Sequence, residues 1–254
     1  MYFDTNMAST AASRKPPVIP ALLLLASAGT YAYLEYGAWQ GYDLGLGNDY
    51  DWKIESVSDI GIDYRQVHPL KHYNVTSYRH QWMNAAILQA GVVFAVAQIY
   101  LLWSSRHRAT QQTALLRTLR LLLAVTYAGG MVLFACVHGG PRERHWEIVG
   151  WHWTGLAMAG LAGNLSLVLI SIMALSEIEK DGLHRLVSST LGGFGLYCFY
   201  RFNTLGEWDY LTQLGLWQRG TLYPVLVWNV ATAIFTIGAQ FDGDEVEDKE
   251  GKRA

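Results

Sequence analysis

Residues 150–176 read GWHWTGLAMAGLAGNLSLVLISIMALS, a run without a single Asp, Glu, Lys or Arg. A helix crossing about 30 Å of hydrocarbon needs about 20 mostly apolar residues, so this stretch is long enough to span a bilayer. Gly155, Ala159 and Gly163 recur every four residues and fall on one stripe of the helix, with His152 one turn below Gly155. Small residues in a stripe let a neighbouring backbone approach closely, which is the main source of helix association in lipid. His152 on that stripe is expected to point into a bundle, because an imidazole facing hydrocarbon is costly. Asn164 needs a partner for the same reason, and Asn84 and Gln89 are the candidates.

Working outward, five further stretches meet or approach the same length. The six predicted spans lie near 18–39, 82–104, 118–138, 150–176, 186–202 and 220–240; the fifth is short and carries Gly192, Gly193 and Gly195. The run from Val18 to Trp39 is too long for a signal-peptide core and reads as an uncleaved first span. Hydrophobic residues make up 51% of the chain and charged ones 16%, and the charges gather in short intervals between the runs. The fold class is therefore all-α, an integral membrane bundle of six transmembrane helices. A net charge of −2 gives no concentrated cationic face for phosphates, which sets nucleic-acid binding aside.

Lys and Arg in short loops orient such a bundle. One side holds Arg14, Lys15, Arg106, Arg108, Arg117, Arg120, Lys180, Arg185, Lys249, Lys252 and Arg253; the other holds Lys53, Arg65, Lys71, Arg79, Arg142, Arg144, Arg201 and Arg219. The first side is denser, so both termini are expected in the cytoplasm, and the plasma membrane is the expected location. Tyr31, Tyr33, Tyr36, Trp39, Trp146, Trp151, Trp153, Trp208 and Trp217 crowd the opposite boundary as an interfacial belt.

Residues 40–80 form the one long outer loop and are rich in Asp and His, so they are expected to fold over the outer mouth of the bundle. Residues 1–16 form a cytoplasmic segment. The charged tail from 241 to 254 is expected to be disordered. Cys136 and Cys198 fall in apolar stretches, where a thiol behaves as a small buried hydrophobe; the alternative is a disulfide, which spacing does not decide. Asn74-Val75-Thr76 is a formal glycosylation sequon on the predicted outer side.

Several polar groups could carry chemistry. Ser58 and Asp59 precede the second span; the pair either binds a cation or headgroup at the membrane surface or caps a helix start before Gly61. His138, His145 and His152 lie near one outer boundary and could ligate zinc, with Asp59 as a fourth ligand or a supporting acceptor. Their spacing is not an established ligand pattern. His68 and His72 have helical i, i+4 spacing, but Pro69 between them works against a continuing helix. Arg219 stands just before the last span and either snorkels, pairs with Asp59 or grips a lipid phosphate. Pro224 falls within the first turns of that span, where loss of an amide donor is tolerable.

Four stretches carry a resemblance: SVSDIG (Ser56 to Gly61), WMNAAILQAG (Trp82 to Gly91), VHGG with WHWTGLAMAGLAGN (Val137 to Gly140, Trp151 to Asn164), and GLWQRGTLYPVLVW (Gly215 to Trp228). In this order they resemble the domain-of-unknown-function 998 family of bacterial and archaeal multi-span membrane proteins, over roughly residues 17 to 240. The serine-aspartate-glycine turn is also similar to that of the eukaryotic autophagy-modulator group of six-span proteins. The resemblance implies a membrane bundle and says little about activity. It singles out Asp59, Asn84, His152, Asn164, Arg219, Tyr223 and Pro224, while the acidic, His-rich first loop departs from the pattern.

Three functions follow as expectations. The first is a non-enzymatic protein that binds lipid or glycolipid, or serves as an accessory subunit of a membrane or envelope complex, since no nucleophile-base pair or phosphate loop is visible. Its partners are then membrane lipids and other membrane proteins. The second is a metal-dependent hydrolase acting on lipids, with Asp59, His138 and His152 around a zinc-bound water. That arrangement is similar to the ceramidases and adiponectin receptors, but their last span carries a His pair and this one has none. The third is an electron carrier with haem held by His138 and His152.

Overall fold

The computed structural model describes residues 17–43, 50–67, 74–104, 111–173, 179 and 181–251. His68 and His72, with Pro69 between them, lie outside these residues. The chain is built on long helices: α1 (Val18–Trp39), α3 (His80–Ser104), α4 (Gln111–Cys136), α6 (Val149–Met173), α7 (Gly182–Asn203) and α8 (Glu207–Gly251), with short α2 (Val57–Ile60) and α5 (Pro141–His145) between them. Five of the long helices are long and apolar enough to cross a membrane: α1, α3, α4 over Ala114–Cys136, α6, and α8 over Thr212–Phe241. Their outward faces are aliphatic, with Ile172 67% and Ile234 62% exposed, as hydrocarbon rather than water would permit. The protein is thus an all-helical membrane protein.

The sixth long helix, α7, is 22 residues long, as is α1, but falls outside that set of five. Asp181 caps its first turn by accepting from the His184 amide at 2.9 Å. Three of the small residues that lower its apolarity, Ser188, Gly192 and Gly195, are buried.

The long helices form a closed ring in chain order. Each packs on the next, from α1 through α3, α4, α6 and α7 to α8, and α8 returns to α1 while also touching α6. The α4/α6 seam is a backbone crossing: a Cβ at Gly130 would meet the Ala159 amide at 2.5 Å, and one at Gly155 would meet the Phe134 amide at 2.7 Å. Gly163 receives the Tyr127 ring instead, and in the α6/α7 seam a Cβ at Gly195 would land on the Asn164 amide. Leu24, Phe94, Phe134, Leu167 and Trp228 fill the interior between the helices.

Over one end of this ring lie the described residues 40–43, 50–67 and 74–79, the cap. Its described part holds three short antiparallel strands, β1 (Tyr42–Asp43), β2 (Gln66–Val67) and β3 (Asn74–Ser77), in the order β1-β3-β2 with Tyr42 opposite Ser77 and Gln66 opposite Val75. Helix α2 packs between the cap ends of α3 and α8.

Three expectations need correction. Helix α8 starts at Glu207, so Pro224 sits deep in its interior rather than in its first turns. A proline there removes the donor for the Gly220 carbonyl, a loss membrane helices tolerate when neighbours pack closely. A Cβ at Gly220 would touch Cys198 Sγ at 2.6 Å, so α7 does press on that point. Second, α8 runs on through Gly251, so most of the charged tail continues a helix rather than being disordered; its Glu and Lys residues are good helix formers. Third, Cys198 is buried but Cys136 is exposed; both thiols are free.

Candidate functional site

The polar residues at the cap end divide into three groups, each organised by different elements. In the first, the segment 51–58 is sutured to α8. The amides of Gly215 and Leu216 donate to the carbonyls of Ile54 and Lys53 at 3.2 and 3.0 Å, and the Val57 amide donates to Gln218 Oε1 at 2.6 Å. Gly215 permits this approach, since a Cβ there would strike the Glu55 and Trp52 carbonyls. Ser56 caps α2 in a capping box: its Oγ accepts from the Asp59 amide at 3.2 Å, and Asp59 Oδ2 accepts from the Ser56 amide at 3.3 Å. Ser58 Oγ lies 2.8 Å from Ser56 Oγ and accepts from Gln218 Nε2 at 3.4 Å.

Beneath α2 is a pocket of about 80 Å³, bordered by Ser58, Asp59, Gln218, Gly139, Arg144 and His152. His152 is fully buried, and its Nδ1 lies 2.6 Å from the Val137 carbonyl. A carbonyl only accepts, so Nδ1 carries the proton and Nε2 presents a lone pair. That Nε2 has no hydrogen-bond partner among the described residues, and Gly139 lies against it: a Cβ there would come within 3.1 Å.

The second group surrounds His138, just beyond the end of α4. Asn84 Nδ2 donates to the Gly61 carbonyl at 2.9 Å and lies 3.2 Å from His138 Nε2. The Gly61 carbonyl fixes the amide orientation, so His138 Nε2 accepts and its proton sits on Nδ1, 3.8 Å from both Asp63 and Glu143. Burial holds the His138 pKa below its ordinary value, against the upward pull of Asp63 and Glu143. Glu143 is buried and accepts from the Tyr64 hydroxyl at 2.6 Å and Arg142 Nε at 3.1 Å, while Arg142 reaches Asp63 at 2.8 Å. Burial and the bond to Glu143 push the Tyr64 phenol up.

The third group is centred on Arg219, which is only 6% exposed. Its Nη1 donates to the carbonyls of Trp52 and Glu55, each at 2.8 Å, and Nη2 donates to the Tyr50 hydroxyl. Its Nε reaches the Tyr223 hydroxyl at 3.0 Å and Glu35 Oε1 at 3.3 Å. The Tyr223 hydroxyl in turn sits 2.5 and 2.6 Å from the two Glu35 oxygens. Glu35 is one turn from the C-terminal end of α1, where the helix dipole disfavours an anion, so the guanidinium and phenol offset that cost.

From this group a groove of about 370 Å³ runs between α1 and α8 toward the opposite end. Leu25, Ala28, Leu226 and Val230 line its apolar length, and Tyr31, Glu35 and Tyr223 line its cap end. From Leu25 to Glu35 it follows α1 for roughly 15 Å at ~1.5 Å per residue. The Tyr31 hydroxyl is buried with no hydrogen-bond partner among the described residues.

The structure therefore brings Ser58, Asp59 and His152 to one pocket, places Asn84 with His138 in a second group, and Arg219 with Tyr223 in a third. Arg219 pairs with Glu35, neither with Asp59 nor free for a lipid phosphate. Asn164 does not meet Asn84 or Gln89: its Nδ2 donates to the carbonyls of Gly160 and Thr221 at 2.7 and 2.9 Å, and Gln89 bonds Ser27 across the α1/α3 seam. His145 is exposed at the end of α5. Among the described residues no three His, Cys, Asp or Glu side chains converge as a metal ion would require, so Asp59, His138, His145 and His152 do not form a zinc cage.

Glu35 and Tyr50 escape a reading from sequence, and Tyr31, read as part of the interfacial belt, is 2% exposed. A signal is nonetheless present: Glu35 is the single charged residue between Val18 and Trp39, and Tyr31 stands four residues before it on the same stripe. Against known proteins, no family model, no curated protein and no solved structure matches the chain.

Proposed function

We propose that this chain is a six-span membrane protein, termini cytoplasmic, that binds a membrane lipid or glycolipid in the groove between α1 and α8, alone or as a subunit of a membrane complex. Counting α7 as the sixth span rests on its length and on its packing between α6 and α8. The cytoplasmic termini rest on the Lys and Arg distribution, and the kinship with the domain-of-unknown-function 998 family rests on the four shared stretches.

The single observation that carries the reading is the groove itself. An apolar channel flanked by two membrane-spanning helices is bathed in lipid, and it ends on a carboxylate whose side chain is still 17% exposed. A chain-and-head amphiphile matches that sequence of surfaces. A lipid hydrolase is the weaker reading, because Asp59 is spent on the capping box and His138 on Asn84.

The test is lipid retention. Ala32 lines the groove and is exposed, so Ala32→Trp fills the groove without entering the core. Native mass spectrometry of protein released from mild detergent is expected to show one retained lipid on the natural chain and none on the variant, with helical circular dichroism unchanged. Equal retention on both would exclude the groove as the binding place.

A further inference from the structure

We infer that the groove selects an uncharged lipid whose head bears hydroxyl groups, an acylglycerol or a glycolipid, over an anionic phospholipid; this rests on the reading of the groove as a lipid site. Three observations at its cap end carry the inference.

First, the cation is turned away. Arg219 spends its N–H groups on the Trp52 and Glu55 carbonyls, the Tyr50 and Tyr223 hydroxyls and Glu35, so no guanidinium fork is offered to a phosphate. Second, of the residues lining the groove only Glu35 carries a charge. A phosphate beside it meets a like charge at low dielectric, whereas the Glu35–Arg219 pair as a whole is neutral and suits a neutral head. Glu35 Oε1 already accepts from Arg219 and Tyr223, while Oε2 accepts from Tyr223 alone and keeps a lone pair for an incoming donor. Third, Tyr31 lines the same end and is 2% exposed, and its buried hydroxyl has no partner among the described residues. A buried hydroxyl without a partner is costly, and an ester or glycosidic oxygen of the ligand would satisfy it. The ligand must then donate to a carboxylate and accept from a phenol within a short distance. A hydroxyl next to an ester or ether oxygen does both.

Three lipids with identical oleoyl chains separate the outcomes: dioleoylglycerol, dioleoylphosphatidylglycerol and dioleoylphosphatidylethanolamine, each doped into phosphatidylcholine nanodiscs holding the full chain, with retention read by native mass spectrometry. Dioleoylglycerol is expected to be retained at least tenfold over phosphatidylglycerol. Glu35→Gln removes the repulsion and is expected to bring that ratio near one. Tyr31→Phe, which keeps the ring and the packing, is expected to lower dioleoylglycerol retention several-fold and leave phosphatidylglycerol unchanged. Equal retention of all three lipids, a preference for either phospholipid, or a Tyr31→Phe variant identical to the natural chain would overturn the head-group inference and leave the groove standing. No retention of any of them overturns both readings together.

Discussion

Two buried arginines, one at each end of the bundle, solve the same problem in opposite ways. Arg219 under the cap donates to backbone carbonyls of a loop and to a carboxylate that borders a groove. Arg120 at the far end makes a tight 2.6 Å pair with Glu179 and donates from Nε to Gln98 Oε1 at 2.8 Å, while its Nη2 has no partner among the described residues. Both side chains of that second pair are within 5% of full burial. The far pair is sealed inside the bundle; the cap pair fastens a loop and keeps its carboxylate on the groove. Burial of a charge thus does not mark a site unless one partner still faces outward.

The largest expected effect tests this distinction. Arg219→Met strands Glu35 and two loop carbonyls and is expected to cost about 3–5 kcal/mol, read as a large drop in melting temperature in detergent. Adding Glu35→Leu is expected to recover little, since the Trp52 and Glu55 carbonyls still lack their donor. Arg120→Met should cost about as much alone, but Arg120→Met with Glu179→Leu and Gln98→Leu is expected within about 1 kcal/mol of the natural protein, because the charged pair and the amide that accepts from Arg120 are then all replaced by apolar groups. Full recovery in the Arg219 double variant would erase the contrast between the ends.

A smaller effect belongs to acid. Burial holds the His138 pKa at the cap below its ordinary 6.5, so below pH 6.5 the unfolded chain takes up a proton that the folded chain resists. The stability this neutral imidazole contributes is complete above pH 6.5 and is lost as pH falls from there through the lower, folded-state value. The groups facing the ring are Asp63, Glu143, Arg142 and His80. Melting temperature measured from pH 7.5 to 5 is expected to fall, and to fall less in His138→Gln; parallel slopes would remove His138 from the account. The smallest effect is one the two ends should share. Ser56→Ala at the cap and Asp181→Ala at the far end each remove a helix N-cap and are each expected to cost about 1 kcal/mol in the same melting assay.

How much of this is legible in the residues depends on the range of each interaction. Apolar runs announce spans, because hydrophobicity is read locally. The α7 segment is harder, since Ser188, Gly192 and Gly195 are chosen by neighbouring helices and depress the local signal. The start of α8 is misplaced by sequence because Trp208 to Arg219 resembles an interfacial loop, yet the cap supplies polar partners that let the helix continue. Glu35 is overlooked because its partner lies far along the chain at Arg219, and no spacing rule links them. The Ser56–Asp59 capping box, with its partners three positions apart, is within reach of sequence alone. The strands of the cap are two to four residues long and leave no alternating pattern to detect.

The ring of helices also has an order of assembly written into it. Synthesis delivers the first helix at the start and the last one at the end, and these two are the ones that meet to close the circle. Until that final helix arrives, the only acid of the first is without its arginine, in an environment that penalises lone charge. Chains truncated before residue 219 therefore carry that carboxylate without its guanidinium partner.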